Sequence, residues 1–219
     1  ALDLICKSLF EQTGAQLHID HVFSCEIEHF KAAFIQRNFR PPLLFRDIRE
    51  IGREFATTAF GKLARVPGNV DLLLAGTSCV DFSGLNNEKK SIEELGESGQ
   101  TWFGMLAYVK RHRPPVVIQE NVLAADWQTM ADTYTSIDYF ATFKQVDSKH
   151  FYVPQTRTRV YLIAIDTRCG TIDTDNVKRT FSAAMSELQR PASSSINDFI
   201  LPMDDERVVR ARANFKMRK

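Results

Sequence analysis

The chain of 219 residues is long enough for one domain, or one and a fraction, at about 150 residues per domain. With 44% hydrophobic and 25% charged residues it can build a sizeable core, which excludes wholesale disorder. Lys and Arg total 28 against 27 Asp and Glu, a net charge of +1. The overall basic excess typical of nucleic-acid binders is therefore missing, and charge alone names no partner.

Leu2, Ile5, Cys6, Leu9 and Phe10 recur at helical spacing, and Gly14 follows as a stop signal. An extended run from His18 to Cys25 ends at Glu26. Phe30, Ala33 and Phe34 then mark one face of a second helix, followed by Pro41-Pro42 and the short apolar run Leu43-Leu44-Phe45, which ends at Asp47. Residues 50–64 read as another helix, closed by Pro67-Gly68. The nearly continuous hydrophobicity of Val70 to Gly76 predicts a strand covered on both faces. Trp102, Met105, Leu106 and Val109 predict a helix that stops at Pro114-Pro115, and Val116-Val117-Ile118 a buried strand ending at Glu120. Leu123, Trp127, Met130 and Tyr134 mark the next helix. Tyr139 to Val146 and Val160 to Ile165 both read as extended, separated by a polar loop that carries Pro154.

This alternation implies an α/β fold with a mostly parallel, doubly wound sheet and helices on both sides. An antiparallel hairpin is expected near its C-terminal edge. From about residue 166 the pattern weakens. Phe181, Met185 and Leu188 suit one helix, and Arg190 to Ser195 reads as a linker. Residues 207–219 carry Arg207, Arg210, Arg212, Lys216, Arg218 and Lys219, which suit a solvated helix face better than a phosphate contact. A nucleotide-binding sheet of this kind opens with a strand and a glycine-rich turn, whereas this chain opens on the following helix, so its first strand reads as cut away.

Cys6, Cys25, Cys79 and Cys169 lie far apart, with neither a CxxC pair nor a Cys/His spacing suited to zinc, and a reducing compartment is the simpler reading. The histidines show no ligand spacing, so no metal is called for. No apolar run approaches the roughly 20 residues that span a bilayer. Ala1 rather than Met opens the chain, which fits a processed product or a piece of a longer protein.

Ligands of open parallel sheets gather at the carboxyl ends of the strands. The residues ending the predicted strands here are Glu26, Asp47, the loop Gly76-Thr77-Ser78-Cys79, and Glu120-Asn121. If the last two strands form a hairpin, the second starts at that same edge and brings Gln155, Arg157 and Arg159 with it. Singly, each has a bland explanation. Cys79 suits a small core residue, Glu26, Asp47 and Glu120 suit helix caps, and Arg157 and Arg159 suit a solvated strand end.

Jointly they resemble the cytosine C5 DNA methyltransferases. Gly76-Thr77-Ser78-Cys79-Val80-Asp81-Phe82-Ser83 is similar to that family's GxPCQxFS nucleophile loop. Glu120-Asn121-Val122 matches its ENV motif, and Gln155-x-Arg157-x-Arg159 its QxRxR motif. Phe23 to Glu26, Arg46-Asp47-Ile48 and Gly99 to Phe103 resemble three further motifs, all in the family's order. The resemblance implies S-adenosylmethionine as cofactor, held by Glu26 and Ile27, by Asp47 and Ile48, and by Gly76. It implies a DNA duplex as substrate, with one cytosine flipped out. Cys79 is then the nucleophile that adds to C6, Glu120 the partner of N3 and the exocyclic amine, and Arg159 the holder of O2 with Arg157 in support. Ser83, Asn121 and Gln155 are the further substrate-binding residues.

Ser78 stands where the family has Pro and Val80 where it has Gln, a spelling similar to fungal members that implies a nuclear enzyme and a less firmly placed thiol. Residues 1–168 are the expected catalytic core without its first strand, and 169–219 a linker and the beginning of a target-recognition region. The family's FxGxGG loop is expected upstream of Ala1, so this fragment alone is expected to bind cofactor poorly. Two alternatives stand beside the DNA enzyme: a catalytically silent paralogue that binds nucleic acid or chromatin partners, and an RNA cytosine-5 methyltransferase.

Overall fold

The computed structural model describes residues 2–82, 92–94 and 96–216. Helix α1 (Leu2–Thr13) ends where Gly14 takes a left-handed φ of 72° and its N–H bonds the Phe10 carbonyl. Strands β1 (Ser24–Cys25) and β2 (Leu44–Phe45) pair in parallel, with helix α2 (His29–Asn38) as the crossover. The anticipated apolar face of α2 is open to solvent: Phe30 is 71% and Phe34 60% exposed, while Ala32 is the buried position.

The helix expected over residues 50–64 is instead an antiparallel hairpin of β3 (Phe55–Thr57) and β4 (Leu63–Arg65). Gly61 adopts φ 78°, a conformation that breaks a helix and closes a turn. The turn is sealed by N–H bonds from Thr58 to the Lys62 carbonyl and from Gly61 to the Thr58 carbonyl. An aromatic and β-branched run at Phe55-Ala56-Thr57-Thr58 also favours extended backbone. Arg46 and Ala59 N–H groups, bonded to Thr57 and Leu44, dock this hairpin beside β2.

The main sheet contains β5 (Leu72–Gly76), β6 (Val116–Asn121), β8 (Thr158–Asp166) and β7 (Tyr139–Asp147), in that order. β5 and β6 run parallel, while β8 is antiparallel to both its neighbours, so the sheet is mixed and the expected C-terminal hairpin is part of it. Helices α3 (Glu97–His112) and α4 (Trp127–Thr135) cover one face. Trp102, Met105, Leu106, Tyr108, Met130 and Tyr134 pack there against Leu73, Val117 and Leu162. Gln119 is buried among them and satisfied: Trp102 Nε1–H donates to its Oε1, and its amide donates to the Met130 sulfur.

Helix α5 (Thr174–Glu187) lies on the opposite face, where Lys144 of β7 donates to Ser182 and Ser186. It packs against β7, the edge of the sheet farthest from β5. Leu73 is therefore buried but Leu72 and Leu74 are exposed, so the expected cover on both faces of this strand holds on one. Leu123 also lies outside α4 and is exposed; Asp126 caps that helix by accepting the Thr129 N–H. Arg207, Arg210 and Arg212 of helix α6 (Glu206–Lys216) are exposed, and Arg218 and Lys219 lie outside the described residues.

Helix α3 is the element that positions the site. Its apolar stripe is spaced three and four residues apart, as a helix buried on one face requires. It ends at Arg113, whose left-handed φ of 51° lets its N–H bond the Val109 carbonyl before Pro114-Pro115. Arg113 then locks the far end of the sheet: its guanidinium pairs with the Asp166 carboxylate, donates to the Ile137 carbonyl, and lies over the Tyr139 ring.

Candidate active site

The register places three strand ends on one edge. Gly76 sits opposite Glu120, and Asn121 sits opposite Val160, so the carboxyl ends of β5 and β6 adjoin the start of β8. The hairpin geometry anticipated for the last two strands is what brings Arg159 to this edge. Glu120 and Arg159 lie on the sheet face away from α3 and α4, and Arg159 Nε stands 2.9 Å from Glu120 Oε1. The Arg159 guanidinium also donates to the Thr158 carbonyl at 2.7 Å, which fixes its direction. A Cβ at Gly76 would stand 3.4 Å from Glu120 Oε2, an ordinary contact, which places the end of β5 directly beside the carboxylate.

Cys79 follows β5 by three residues, on a loop, and is half-buried. The loop is held from two sides. Asn121, itself buried, donates its amide to the Thr77 carbonyl and hydroxyl and to the Ser78 carbonyl, at 3.1 to 3.3 Å. From the other side, the Ser78 hydroxyl donates to Glu97 Oε1 at 2.7 Å, and Asp81 and Ser98 exchange hydrogen bonds. Ser83 lies outside the described residues.

Gln155 and Arg157 occupy the turn before β8 with exposed side chains, and it is their backbone that is engaged. The Ser148 hydroxyl donates to the Gln155 carbonyl, and Arg157 N–H donates to Asp147 Oδ1 at 3.2 Å. Asp147 organises this turn, a role the sequence reading missed. Burial pushes its carboxyl up, but the N–H donors of Lys149 and Arg157 and the Thr158 hydroxyl outweigh that and hold it below the usual range. An Asp closing a strand ahead of a short polar turn is the signal that points to it.

The β1–β2 pair forms the other half of the rim. In its parallel register Glu26 follows β1 directly and Asp47 follows β2 by two residues, so both acids leave the same end of the pair, and Glu26 N–H bonds the Phe45 carbonyl. Glu26 Oε1 accepts the Glu28 N–H at 2.9 Å. Asp47 is gripped by Arg49, whose Nε and Nη2 reach its two oxygens at 2.6 to 3.0 Å, and this bidentate bond holds its carboxyl below the usual range. Ile27 is exposed and Ile48 packs against the core. Behind the acids, burial and then the charges of Asp47, Glu26 and Glu50 push the Cys25 thiol up to about 12. Arg49 was not singled out by the sequence, because an i,i+2 Asp-Arg pair is commonplace.

The first turn of α3 joins the halves. Arg49 Nη1 donates to Gln100 Oε1 at 3.2 Å, and Glu97 in the same turn receives Ser78. Acids at one end and a thiol with a carboxylate–guanidinium pair at the other thus share one rim. The model of the C-5 cytosine-specific DNA methylase family matches residues 6–214. The chain belongs to that family.

Two fungal relatives of this DNA methylase chain are named DNA (cytosine-5-)-methyltransferase DMT5. That of Cryptococcus neoformans var. grubii is 48% identical over 212 residues, covering 97% of this chain and 9% of the relative. That of Verticillium dahliae is 34% identical over 250 residues, covering 89% and 10%. The Type II methyltransferase M.HhaI of Haemophilus parahaemolyticus is 28% identical over 100 residues, covering 42% and 30%. The chain thus spans about a tenth of the length of the fungal relatives. Proteins of this family are methyltransferases that use S-adenosylmethionine. The acidic end of the rim fits that cofactor: two short-reach carboxylates stand at adjacent strand ends, and Ile27 offers an exposed apolar side chain beside Glu26.

Proposed function

We propose that this chain is the central part of a DNA cytosine-5 methyltransferase that acts on a flipped-out cytosine through a covalent Cys79 adduct. The observation that carries the reading is the Glu120–Arg159 pair, set on the edge where the Cys79 loop leaves β5. Extruding a base from the duplex costs about a few kcal/mol, which contacts with the ring and the backbone must offset. Arg159 donates to O2 of the ring, and Glu120 engages N3 and the exocyclic amine. Cys79, as thiolate, forms the S–C6 bond, and the electron pair of the C5–C6 double bond moves toward C5 and N3. Glu120, acting as the neutral carboxyl, donates its proton to N3 and Arg159 donates to O2, which stabilises that charge where it develops. Glu26, with Ile27, meets the ribose end of the cofactor, and Asp47, with Ile48, the adenine amine. S-adenosylmethionine bound there would supply an electrophilic methyl group to C5, with S-adenosylhomocysteine as the leaving group. Loss of the C5 proton then restores the double bond and expels the Cys79 sulfur. Asn121 serves the base through the loop it holds, while Gln155 and Arg157 support the Arg159 end. The nucleus is the compartment in which such a substrate is met.

The full-length protein is tested for transfer of labelled methyl from S-adenosylmethionine to a cytosine-containing duplex. Cys79→Ala is expected to lower the rate by roughly a thousandfold or more, as loss of a covalent nucleophile does. A duplex carrying 5-fluorocytosine traps the adduct, because C5 then has no proton to lose. An adduct with DNA but not with RNA of the same sequence supports the reading. An adduct with RNA alone moves the substrate to RNA. Neither adduct nor transfer retires the enzyme in favour of a silent, nucleic-acid-binding paralogue.

A further inference from the structure

The loop that presents Cys79 is stapled to the first turn of α3 on both sides of the thiol. One residue before it, the Ser78 hydroxyl donates to Glu97 Oε1 at 2.7 Å. Two residues after it, Asp81 N–H donates to Ser98 Oγ at 2.9 Å, and Ser98 N–H donates back to Asp81 Oδ2 at 2.6 Å. The second staple is dry: Asp81 is 7% and Ser98 0% exposed. A carboxylate buried this deeply must be satisfied where it lies, so it holds one position. Gly96 permits that position, since a Cβ there would meet the Asp81 carboxyl atoms at 2.4 to 2.8 Å. Phe82, buried in the core, anchors the loop beyond.

We infer that Glu97 and Ser98 are positioning residues for the Cys79 nucleophile, acting through Ser78 and Asp81. The inference rests on the methyltransferase reading. The first turn of α3 clamps the loop at two points, so the sulfur is fixed although Ser78 lacks a proline's stiffness. Pre-organisation of this kind raises the rate of the chemical step, because the loop need not be ordered when the base arrives.

The test uses the full-length protein and three readouts. These are kcat and KM for labelled S-adenosylmethionine on a cytosine-containing duplex, alkylation of Cys79 by iodoacetamide, and amide exchange across residues 79–82. Ser98→Ala, and Glu97→Ala on the exposed rim, are each expected to lower kcat about tenfold, the equivalent of one lost hydrogen bond expressed in the transition state. KM for the cofactor is expected to stay unchanged. Amide exchange in the loop is expected to rise about tenfold in Ser98→Ala. Glu97→Gln and Asp81→Asn keep an acceptor oxygen and are expected to recover most of the rate.

Unchanged exchange and unchanged kcat in both alanine variants would overturn the inference. So would conservative variants as impaired as the alanines, or a loss of rate that only tracks a loss of folded protein. If the unsubstituted protein transfers no methyl group, the enzymatic reading fails by itself. Loop exchange and Cys79 alkylation then still decide whether the clamp exists.

Discussion

Gly104→Ala sets two effects of opposite sign against each other. Gly104 lies inside α3, where replacing glycine by alanine ordinarily stabilises by about 0.5–1 kcal/mol through reduced backbone entropy and better helix propensity. Here the added Cβ would stand 2.7 Å from Arg49 Cα, 2.9 Å from the Ile48 carbonyl oxygen and 3.0 Å from Arg49 N. All three are backbone atoms, so no side chain can swing aside, and the helix must move off the segment that carries Asp47. Overpacking of this kind costs about 1–3 kcal/mol, which exceeds the gain. The expected net effect is a loss of up to about 2.5 kcal/mol, and for a chain of this size each lost kcal/mol lowers Tm by roughly 2–4 °C. Because the displaced residues include Arg49, which grips Asp47, S-adenosylmethionine affinity is expected to fall as well. Differential scanning calorimetry and isothermal titration on the same preparations read both. A Tm that rises, the outcome helix propensity alone demands, would refute the close approach of α3 to the Asp47 segment.

Arg113→Ala removes both bonds to Asp166, whose residue is only 3% exposed and which keeps only the Arg168 N–H and the more distant Arg168 guanidinium, and is expected to destabilise by about 3 kcal/mol, the low end for breaking a buried ion pair. Urea unfolding measures it, and a loss below about 1 kcal/mol would contradict a buried pair. Cys25, with its thiol pushed from 9.0 up to about 12, favours the neutral form in the folded state. The stability it contributes is therefore complete below pH 9 and fades as the pH rises toward about 12. Cys25→Ala is expected to flatten that alkaline decline. In mass-spectrometric mapping at pH 8, exposed Cys169 is expected to react with iodoacetamide well before Cys25; equal rates would show Cys25 to be accessible.

Much of this protein is written in short stretches that need no tertiary context. The run Val70 to Gly76, the stripe Trp102, Met105, Leu106 and Val109, and the stop at Gly14 each appear in the structure as β5, α3 and a left-handed turn. Local runs carry their own period or their own steric preference. The site residues on the rim are likewise contiguous triplets or loops at strand ends, which is why Glu120, Asn121 and the Cys79 loop were legible as a group. Residues 50–64 were not, because their apolar spacing suits a helix as well as a hairpin, and the choice fell to Gly61 and to pairing with β2.

Pairings across the chain were decided by tertiary structure alone. Arg159 meets Glu120 only because β8 runs antiparallel to β6, and Asp81 meets Ser98 only because the loop after β5 lies on the first turn of α3. Even the open face of α2, with Phe30 and Phe34 in solvent, follows from what packs beside it rather than from its own periodicity. A hydrogen bond or ion pair between distant residues leaves no periodic trace in either segment. Its partners are chosen by the backbone path that burial of the core imposes, and that path exists only once the chain has folded.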